Sequence, residues 1–481
     1  MRAMLGMLPF TFDRSYPGKM NRKLRRGYGL IQGPTPHLGS LLMCATLKKA
    51  GHEPLFFDGV FNDRGDFEEK IRAWRPHVLG AACTTAFWDL SKQHIQNFKR
   101  LFPDLTILAG GPHINIAARE AMEECPEIDV TIRGDCEFTV CRVLDALEQK
   151  RDLAGIPGVM FRAADGSLVD GGTPEYIDDL DKIPFPDYDQ IDVRRYAPSI
   201  GHYKRLPNIT MVMSRGCPFQ CTFCLARDDY RAHSPEYVLG HMELLTKKYG
   251  VRDILLYDED LLRDPDWMAE ICERMIARKI DLTWSGNARP AAVTRPMLRL
   301  MKRAGCWKLL YGLETGSEVT MAKLNKTSTL EDSRRAVEDA RRVGIRIFAT
   351  FMFGTPGETY QEALKTIDFA CSLTGVDFAK FLNYTPWPGT DVYKNIERYG
   401  RITDLSKMTL NQLAFIPHSM TTEEMMRLYT VAYRRFYRRP SYILRRAALM
   451  RSFEDFKMNV RGFLAFVNAK QECKEAMECD V

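Results

Sequence analysis

Between Leu38 and Glu148 short apolar runs alternate with amphipathic stretches of helical length, and this alternation restricts the fold more than any other pattern in the chain. Leu38–Ala50, Phe67–Trp74, Leu90–Phe102 and Glu137–Glu148 read as helices. Pro54–Asp58, His77–Cys83, Thr106–Gly110 and Ile128–Ile132 read as strands. Strands joined through helices are parallel neighbours in one sheet, covered on both faces. The expectation for residues 1–150 is therefore an α/β domain, a Rossmann-like, doubly wound parallel sheet. Ligands of such sheets bind beyond the carboxyl ends of the strands, where the loops collect. Those loops carry Gly33-Pro34-Thr35-Pro36-His37, Thr84-Thr85, Gly110-Gly111-Pro112-His113 and Arg133-Gly134-Asp135. Glycine permits close backbone approach, and hydroxyls and helix N-termini hold phosphate or amide groups. Each loop alone matches an ordinary helix entry; together on one edge they mark a candidate binding edge.

Residues 151–205 read as a connector. Met160–Arg162 and Ser167–Asp170 flank Ala164–Gly166 in a hairpin pattern, and Ile183-Pro184-Phe185-Pro186-Asp187-Tyr188 reads as a linker. A second alternating series spans 206–400, with strands at Thr210–Met213, Asp253–Tyr257, Thr283–Ser285, Trp307–Gly312, Arg346–Phe353 and Phe378–Tyr384. Six βα steps predict a partial (β/α)6 barrel of the TIM type, with its chemistry at the carboxyl ends of the strands. Residues 401–481 are expected to form a helical C-terminal region. There Arg434-Arg435-Phe436-Tyr437-Arg438-Arg439-Pro440 and Arg445-Arg446 precede the next acidic residue, Glu454. This stretch reads first as a solvated helix face packing its aromatics on the barrel. Its second reading is a peripheral contact with anionic lipid or an acidic substrate.

After the first barrel strand comes Cys217-Pro218-Phe219-Gln220-Cys221-Thr222-Phe223-Cys224. Three thiolates on one tight loop can hold three corners of a [4Fe–4S] cluster and leave one iron open. A structural zinc site would need a fourth ligand, usually as two separated pairs. The chain has 13 cysteines, an odd number without a disulfide framework. Cys44, Cys83, Cys272, Cys306 and Cys371 sit in apolar stretches and read as small buried hydrophobes. A reducing compartment, the cytoplasm, is expected. A net charge of +6 is mild for 481 residues and does not call for nucleic acid. No apolar run reaches the length of a membrane span, Arg346 interrupting the longest candidate. Met1–Phe12 is apolar but meets Pro9 and Asp13 and lacks a small-residue cleavage site, which argues against a signal peptide.

On Cys217, Cys221 and Cys224, with Phe223 before the last, the chain resembles the radical S-adenosylmethionine superfamily. The resemblance implies that the open iron binds the amino and carboxylate groups of S-adenosylmethionine. An electron, from an external donor such as flavodoxin or ferredoxin, then yields a 5′-deoxyadenosyl radical. Tyr257-Asp258-Glu259-Asp260 resembles the segment that approaches the methionyl amine. Gly312-Leu313-Glu314-Thr315 resembles the G-x-E-[ST] element whose carboxylate reaches the ribose or amino group, with Lys326 downstream. Gly354-Thr355-Pro356-Gly357-Glu358 resembles the glycine loop beside adenine, and Pro386-Trp387-Pro388-Gly389-Thr390 the P-x-P-G-T turn. The implied S-adenosylmethionine residues are Phe223, Asp258, Glu259, Glu314, Thr315, Gly354 and Gly357.

The N-terminal sheet resembles the cobalamin-binding domain of one subgroup. That subgroup includes methyltransferases acting on unactivated carbon or phosphorus and the anaerobic magnesium-protoporphyrin ester cyclase. The implied cobalamin residues are Thr35, Pro36, Thr84, Thr85, Gly110, Gly111, Pro112, Gly134 and Asp135. The D-x-H-x-x-G signature is absent, so no histidine is assigned to cobalt and His113 reads as a loop residue. The resemblance implies methylation of a small molecule, with oxidative cyclisation and, further off, methylthio transfer as alternatives. Phe87, Trp88, Trp284, Trp307, Phe381 and Trp387 near predicted strand ends are compatible with a lipid or tetrapyrrole substrate and equally with barrel packing.

Overall fold

The structure, a computed structural model, describes residues 1–9, 34–198, 201–226, 229–404, 408 and 412–448. Gly33 of the first predicted loop, and the predicted tail from 449 to 481 with Glu454, lie outside the described residues. The described residues divide into two compact units, 1–9 with 35–193, and 34 with 194–448.

In the first unit, β1 (Arg2–Gly6), β2 (Glu53–Phe56), β3 (Val78–Ala82), β4 (Thr106–Gly110), β5 (Val130–Ile132), β6 (Val159–Arg162) and β7 (Leu168–Asp170) form one sheet. Its order is β2-β1-β3-β4-β5-β6-β7. The first five strands are parallel, in the flavodoxin-like order of doubly wound sheets. Every residue of β3 is buried, as expected of a parallel strand covered on both faces. Three features depart from the sequence reading. Strand β1 comes from the apolar N-terminus, where a run this short carries no period to reveal it. The predicted connector hairpin, β6 and β7, joins this sheet as an antiparallel edge, with Val130 opposite Phe161. Finally, Pro112 and His113 are not loop residues. They open a helix, Pro112–Glu124, whose N-cap Gly111 has φ +96° and whose first position takes proline, which has no N–H to leave unbonded there.

The second unit begins with β8 (Asn208–Met211), followed by the short antiparallel pair β9 (Ser214–Arg215) and β10 (Arg231–Ala232). Then come β11 (Asp253–Leu256), β12 (Thr283–Ala288), β13 (Cys306–Glu314), β14 (Arg346–Phe353) and β15 (Phe378–Asn383). The six long strands are all parallel and lie in sequence order, β8 to β15. This is the partial barrel. Ile347, Ala349 and Phe351 of β14 are buried toward the helices, while Phe348 and Thr350 on the other face keep partial exposure. Most of the predicted ligand aromatics belong to cores: Trp88, Trp284, Trp307 and Phe381 are all buried.

The described C-terminal region is not wholly helical. An antiparallel pair, β16 (Gly400–Ile402) and β17 (Phe415–Pro417), precedes the helices Thr422–Tyr437 and Pro440–Ala448. Of its basic side chains Arg434, Arg435 and Arg438 are exposed, and Arg439, Arg445 and Arg446 are half-buried. Arg439 donates to the Cys371 carbonyl, Arg445 lies 2.9 Å from Asp377, and Arg435 lies 2.7 Å from Asp368. Among the described residues no helix is long and apolar enough to cross a membrane.

Candidate active site

The strands β9 and β10 pair across the segment that carries the three cysteines and hold its two ends together. Its base is fastened by Asp258 at the end of β11. That carboxylate is fully buried and accepts from the backbone N–H of Met213 at 3.1 Å, the N–H of Ser214 at 2.6 Å and the Ser214 hydroxyl at 2.6 Å. Burial pushes its pKa up to about 7, against the pull of those donors. The far side of the loop is tied to Lys323–Asn325. Thr222 donates its N–H to the Leu324 carbonyl at 3.1 Å, and Asn325 donates its amide to the Gln220 carbonyl at 2.8 Å. Phe223 packs against the buried cluster of Leu324, Met352, Tyr384 and Phe415. Cys217, Cys221 and Cys224 are half-buried and outside any disulfide. Burial pushes the Cys217 and Cys221 thiols up, while Arg289 favours the thiolate at both and Lys326 at Cys221. Three thiols on a pinned loop, with two cations nearby, form a donor set that fits a [4Fe–4S] cluster.

Arg289 follows the last residue of β12 and its guanidinium lies 3.2 Å from the Phe219 ring centroid. Sequence reasoning missed it. The available signal was position, because the end of the third barrel strand was the one strand end left without a candidate.

At the end of β13 the pairing with β14 shifts between Gly312 and Glu314, and Glu314 takes the left-handed φ of +61° that side chains seldom adopt. Its Oε1 lies 2.6 Å from Lys326 Nζ, which also donates to the Gly312 carbonyl at 2.5 Å. A Cβ on Gly312 would fall 2.3 Å from that carboxylate oxygen and would push the Glu314 side chain aside. Thr315 turns inward instead. Its hydroxyl lies 2.9 Å from that of Thr366 and accepts the Ser317 N–H at 3.1 Å. In the next loop Glu358 is fully buried and accepts from Gly354 N–H at 2.7 Å and Thr355 N–H at 3.3 Å; burial raises it to about 8. Lys323 Nζ donates to the Gly357 carbonyl at 2.5 Å.

The segment Lys323–Lys326 therefore touches the cysteine loop, Glu314 and the glycine loop at once. Of the residues expected at S-adenosylmethionine, Glu314 and Gly357 touch this segment, Gly354 lies in the same glycine loop, and Glu259 is exposed after β11. Asp258, Thr315 and Phe223 hold the scaffold. An acceptor carboxylate fixed at a strand end beside the glycine loop fits S-adenosylmethionine, while the space above Gly354 is taken by Met425, whose methyl would lie 2.7 Å from a Cβ there.

In the first unit, Thr84, Thr85, Gly110 and Gly111 meet at the carboxyl ends of β3 and β4. Cys83 N–H donates to the Gly110 carbonyl at 2.8 Å, and His113 N–H to the Cys83 carbonyl at 3.1 Å. A Cβ on Gly111 would lie 2.8 Å from the Cys83 carbonyl oxygen. Thr84 Oγ1 is buried without a partner among the described residues. An orphaned hydroxyl beside a glycine approach, at the edge where flavodoxin-like sheets bind ligands, fits a large amide-bearing cofactor such as cobalamin. His113 is buried, 3.3 Å from Thr85 Oγ1 and stacked 4.5 Å from Trp88; burial lowers it to about 4. Gly134 and Asp135 are engaged within the unit: a Cβ on Gly134 would meet Pro174 at 2.7 Å, and Asp135 accepts the Ile177 N–H at 2.9 Å. Pro36 is buried and Thr35 half-buried ahead of the helix Leu38–Lys49.

Residues 211–370 match the Radical SAM superfamily and residues 29–144 the B12 binding domain. An uncharacterized methyltransferase of Pyrococcus horikoshii is 28% identical over 85% of this chain and 89% of its own length. The anaerobic magnesium-protoporphyrin IX monomethyl ester cyclase of Rubrivivax gelatinosus is 28% identical over 86% of this chain and 76% of its own. Among solved structures, the radical S-adenosylmethionine methyltransferase TsrM of Kitasatospora setae aligns with a TM-score of 0.65 at 18% identity, covering 90% of this chain and 83% of that one. At that identity the likeness speaks for the fold.

Proposed function

We propose that this chain, which belongs to the radical SAM superfamily and carries a B12-binding domain ahead of its barrel, methylates an unactivated centre of a small molecule. The observation that carries this reading is the union in one chain of a pinned three-thiol loop at the end of β8 and a flavodoxin-like sheet with an unpartnered hydroxyl on its binding edge. A [4Fe–4S] cluster on Cys217, Cys221 and Cys224 with S-adenosylmethionine supplies a 5′-deoxyadenosyl radical, and cobalamin a methyl carrier.

The chain's own residues hold and orient. Glu314, kept in place by Lys326, accepts from a ribose hydroxyl or an ammonium group. Glu259 offers a second carboxylate, and the loop of Gly354 and Gly357 offers its backbone to adenine. Thr84 offers its hydroxyl to a corrinoid amide where Gly110 and Gly111 allow close approach. An external electron donor of the flavodoxin or ferredoxin kind, a lipid or tetrapyrrole substrate and a cytoplasmic location complete the proposal.

Oxidative cyclisation is the second reading, favoured by the ester cyclase of Rubrivivax gelatinosus being as similar, at 28%, as the methyltransferase of Pyrococcus horikoshii. Methylthio transfer has less support, since Cys44 and Cys83 are buried with their thiols pushed up.

Anaerobic reconstitution with iron, sulfide, hydroxocobalamin, S-adenosylmethionine and a strong reductant tests both readings. About four irons per chain and a bound corrinoid spectrum are expected. Methyl transfer gives S-adenosylhomocysteine together with 5′-deoxyadenosine, and cyclisation gives 5′-deoxyadenosine alone. Absence of 5′-deoxyadenosine would sink both.

A further inference from the structure

Inside the barrel, one cation has no counter-charge among the described residues. Along β14 and β15, Ala349, Phe351, Ala379 and Phe381 face the helices and are at most 3% exposed. Thr350 and Lys380, paired in register, lie on the opposite, inner face and keep partial exposure. The Lys380 ammonium has neither a hydrogen-bond acceptor nor a carboxylate partner among the described residues, and burial alone lowers its pKa.

A second inward lysine shows what provision looks like. Lys308 donates to the Gly201 carbonyl at 2.9 Å and is attracted by Asp253. His202, its ring 5.3 Å from that of Phe348, is pushed down to about 3 by burial and by both lysines, so it is neutral and adds no charge beside Lys380. A half-buried ammonium without a partner gains most from a ligand that brings an anion. Lys380 precedes Asn383, the last residue of β15, by three positions, which places it on the order of 10 Å below the strand ends.

We propose that Lys380 is a specificity-determining residue that pairs with an anionic oxygen group of the substrate, a carboxylate or a phosphate, bound in the barrel interior. The substrate class is thus a molecule with an acid group set back from its reacting centre, and the assignment of that centre rests on the function proposed above.

The test uses the reconstituted holoenzyme with S-adenosylmethionine bound. Lysine acetylation by sulfo-N-hydroxysuccinimide acetate is read at Lys380 by peptide mass spectrometry, with exposed Lys279 as reference. The probes are octanoate, octyl phosphate and octanol. Protection of Lys380 by an anionic probe and not by octanol is expected, and the better of the two anions identifies carboxylate or phosphate as the group read. Equal protection by octanol, or protection by neither anion, overturns the proposal.

Binding of the protective anion by calorimetry gives an independent arm. Lys380→Met should weaken it about tenfold or more, and Lys380→Arg should retain it, as loss of a charge-assisted hydrogen bond predicts. Equal affinity in Lys380→Met and the wild type also overturns the proposal. Formation of 5′-deoxyadenosine is followed in the same wild-type preparation. Its absence counts against the proposed function and leaves the anion result standing.

Discussion

Lys326 Nζ lies 2.6 Å from Glu314 Oε1, with the two side chains only 8% and 10% exposed. The pair closes the bulge at the end of β13 and holds a carboxylate over Gly312, where a side chain would displace it. Glu314→Gln keeps the shape and removes the charge. It should weaken S-adenosylmethionine binding about 10- to 100-fold, the worth of one hydrogen bond to a charged group. Lys326→Met strands a nearly buried carboxylate and should cost about 3–5 kcal/mol of stability. Calorimetric titration of the reconstituted protein and denaturant unfolding measure the two effects; unchanged S-adenosylmethionine affinity in Glu314→Gln would remove Glu314 from the site.

Thr84 Oγ1 is a buried hydroxyl with no partner among the described residues. Replacing it with valine removes an unsatisfied group, so the cofactor-free protein should be no less stable, within about 0.5 kcal/mol. Cobalamin binding should weaken by about tenfold if that hydroxyl bonds a corrinoid amide. Titration of hydroxocobalamin followed by absorbance separates the two. Unchanged corrinoid affinity would leave the orphaned oxygen unexplained by cobalamin.

Glu358 is fully buried and raised by burial to about 8 from an ordinary 4.5. Between those values the folded state keeps a proton that the unfolded chain releases. Stability from this group is therefore complete below pH 4.5, falls as pH rises and levels off above about 8. The slope in that window approaches about 1.4 kcal/mol per pH unit. Glu358→Gln resembles the protonated acid and should flatten the fall between pH 6 and 8 in urea unfolding. A variant whose slope there matches the wild type would show that Glu358 is ionised in the folded protein.

The strand-end chemistry was legible because it depends on residue types at fixed places: three cysteines after β8, Glu314 after a glycine in β13, and two glycines after β14. Side-chain direction was not legible. Asp258 and Thr315 stand at strand ends as expected, yet both are consumed by donors and acceptors of their own scaffold, which a linear pattern does not reveal. Contacts that close the site from far along the chain were equally hidden. Asn325 reaches Gln220 across 105 positions, and Arg289 stacks on Phe219 from another strand. Strand β1 escaped notice because a short apolar run has no period. Lys380 drew no notice in the sequence, because only the closed barrel makes the face away from the helices an interior.

The sixth barrel strand has an open edge, and the helix Thr422–Tyr437 closes it with side-chain hydroxyls. The Phe381 N–H donates to Tyr433 Oη at 3.3 Å and the Ala379 N–H to Tyr437 Oη at 3.0 Å; Tyr437 Oη donates back to the Ala379 carbonyl at 2.8 Å. Tyr429 continues the series by donating to the Asn383 side chain. The spacing works because four helical residues advance about 6 Å and two strand residues about 6.6 Å, so successive turns meet successive edge positions. An uncovered edge exposes unpaired backbone groups that template intermolecular pairing. Tyr437→Phe should therefore cost about 1–3 kcal/mol, because it strands both a donor and an acceptor, and Tyr433→Phe should cost less, toward about 1 kcal/mol. The double variant should also scatter light on mild heating, before the wild type does. Equal urea midpoints for the double variant and the wild type would show that the hydroxyls do not carry the edge, and that the buried aromatic packing of Phe381 against Phe436 is sufficient.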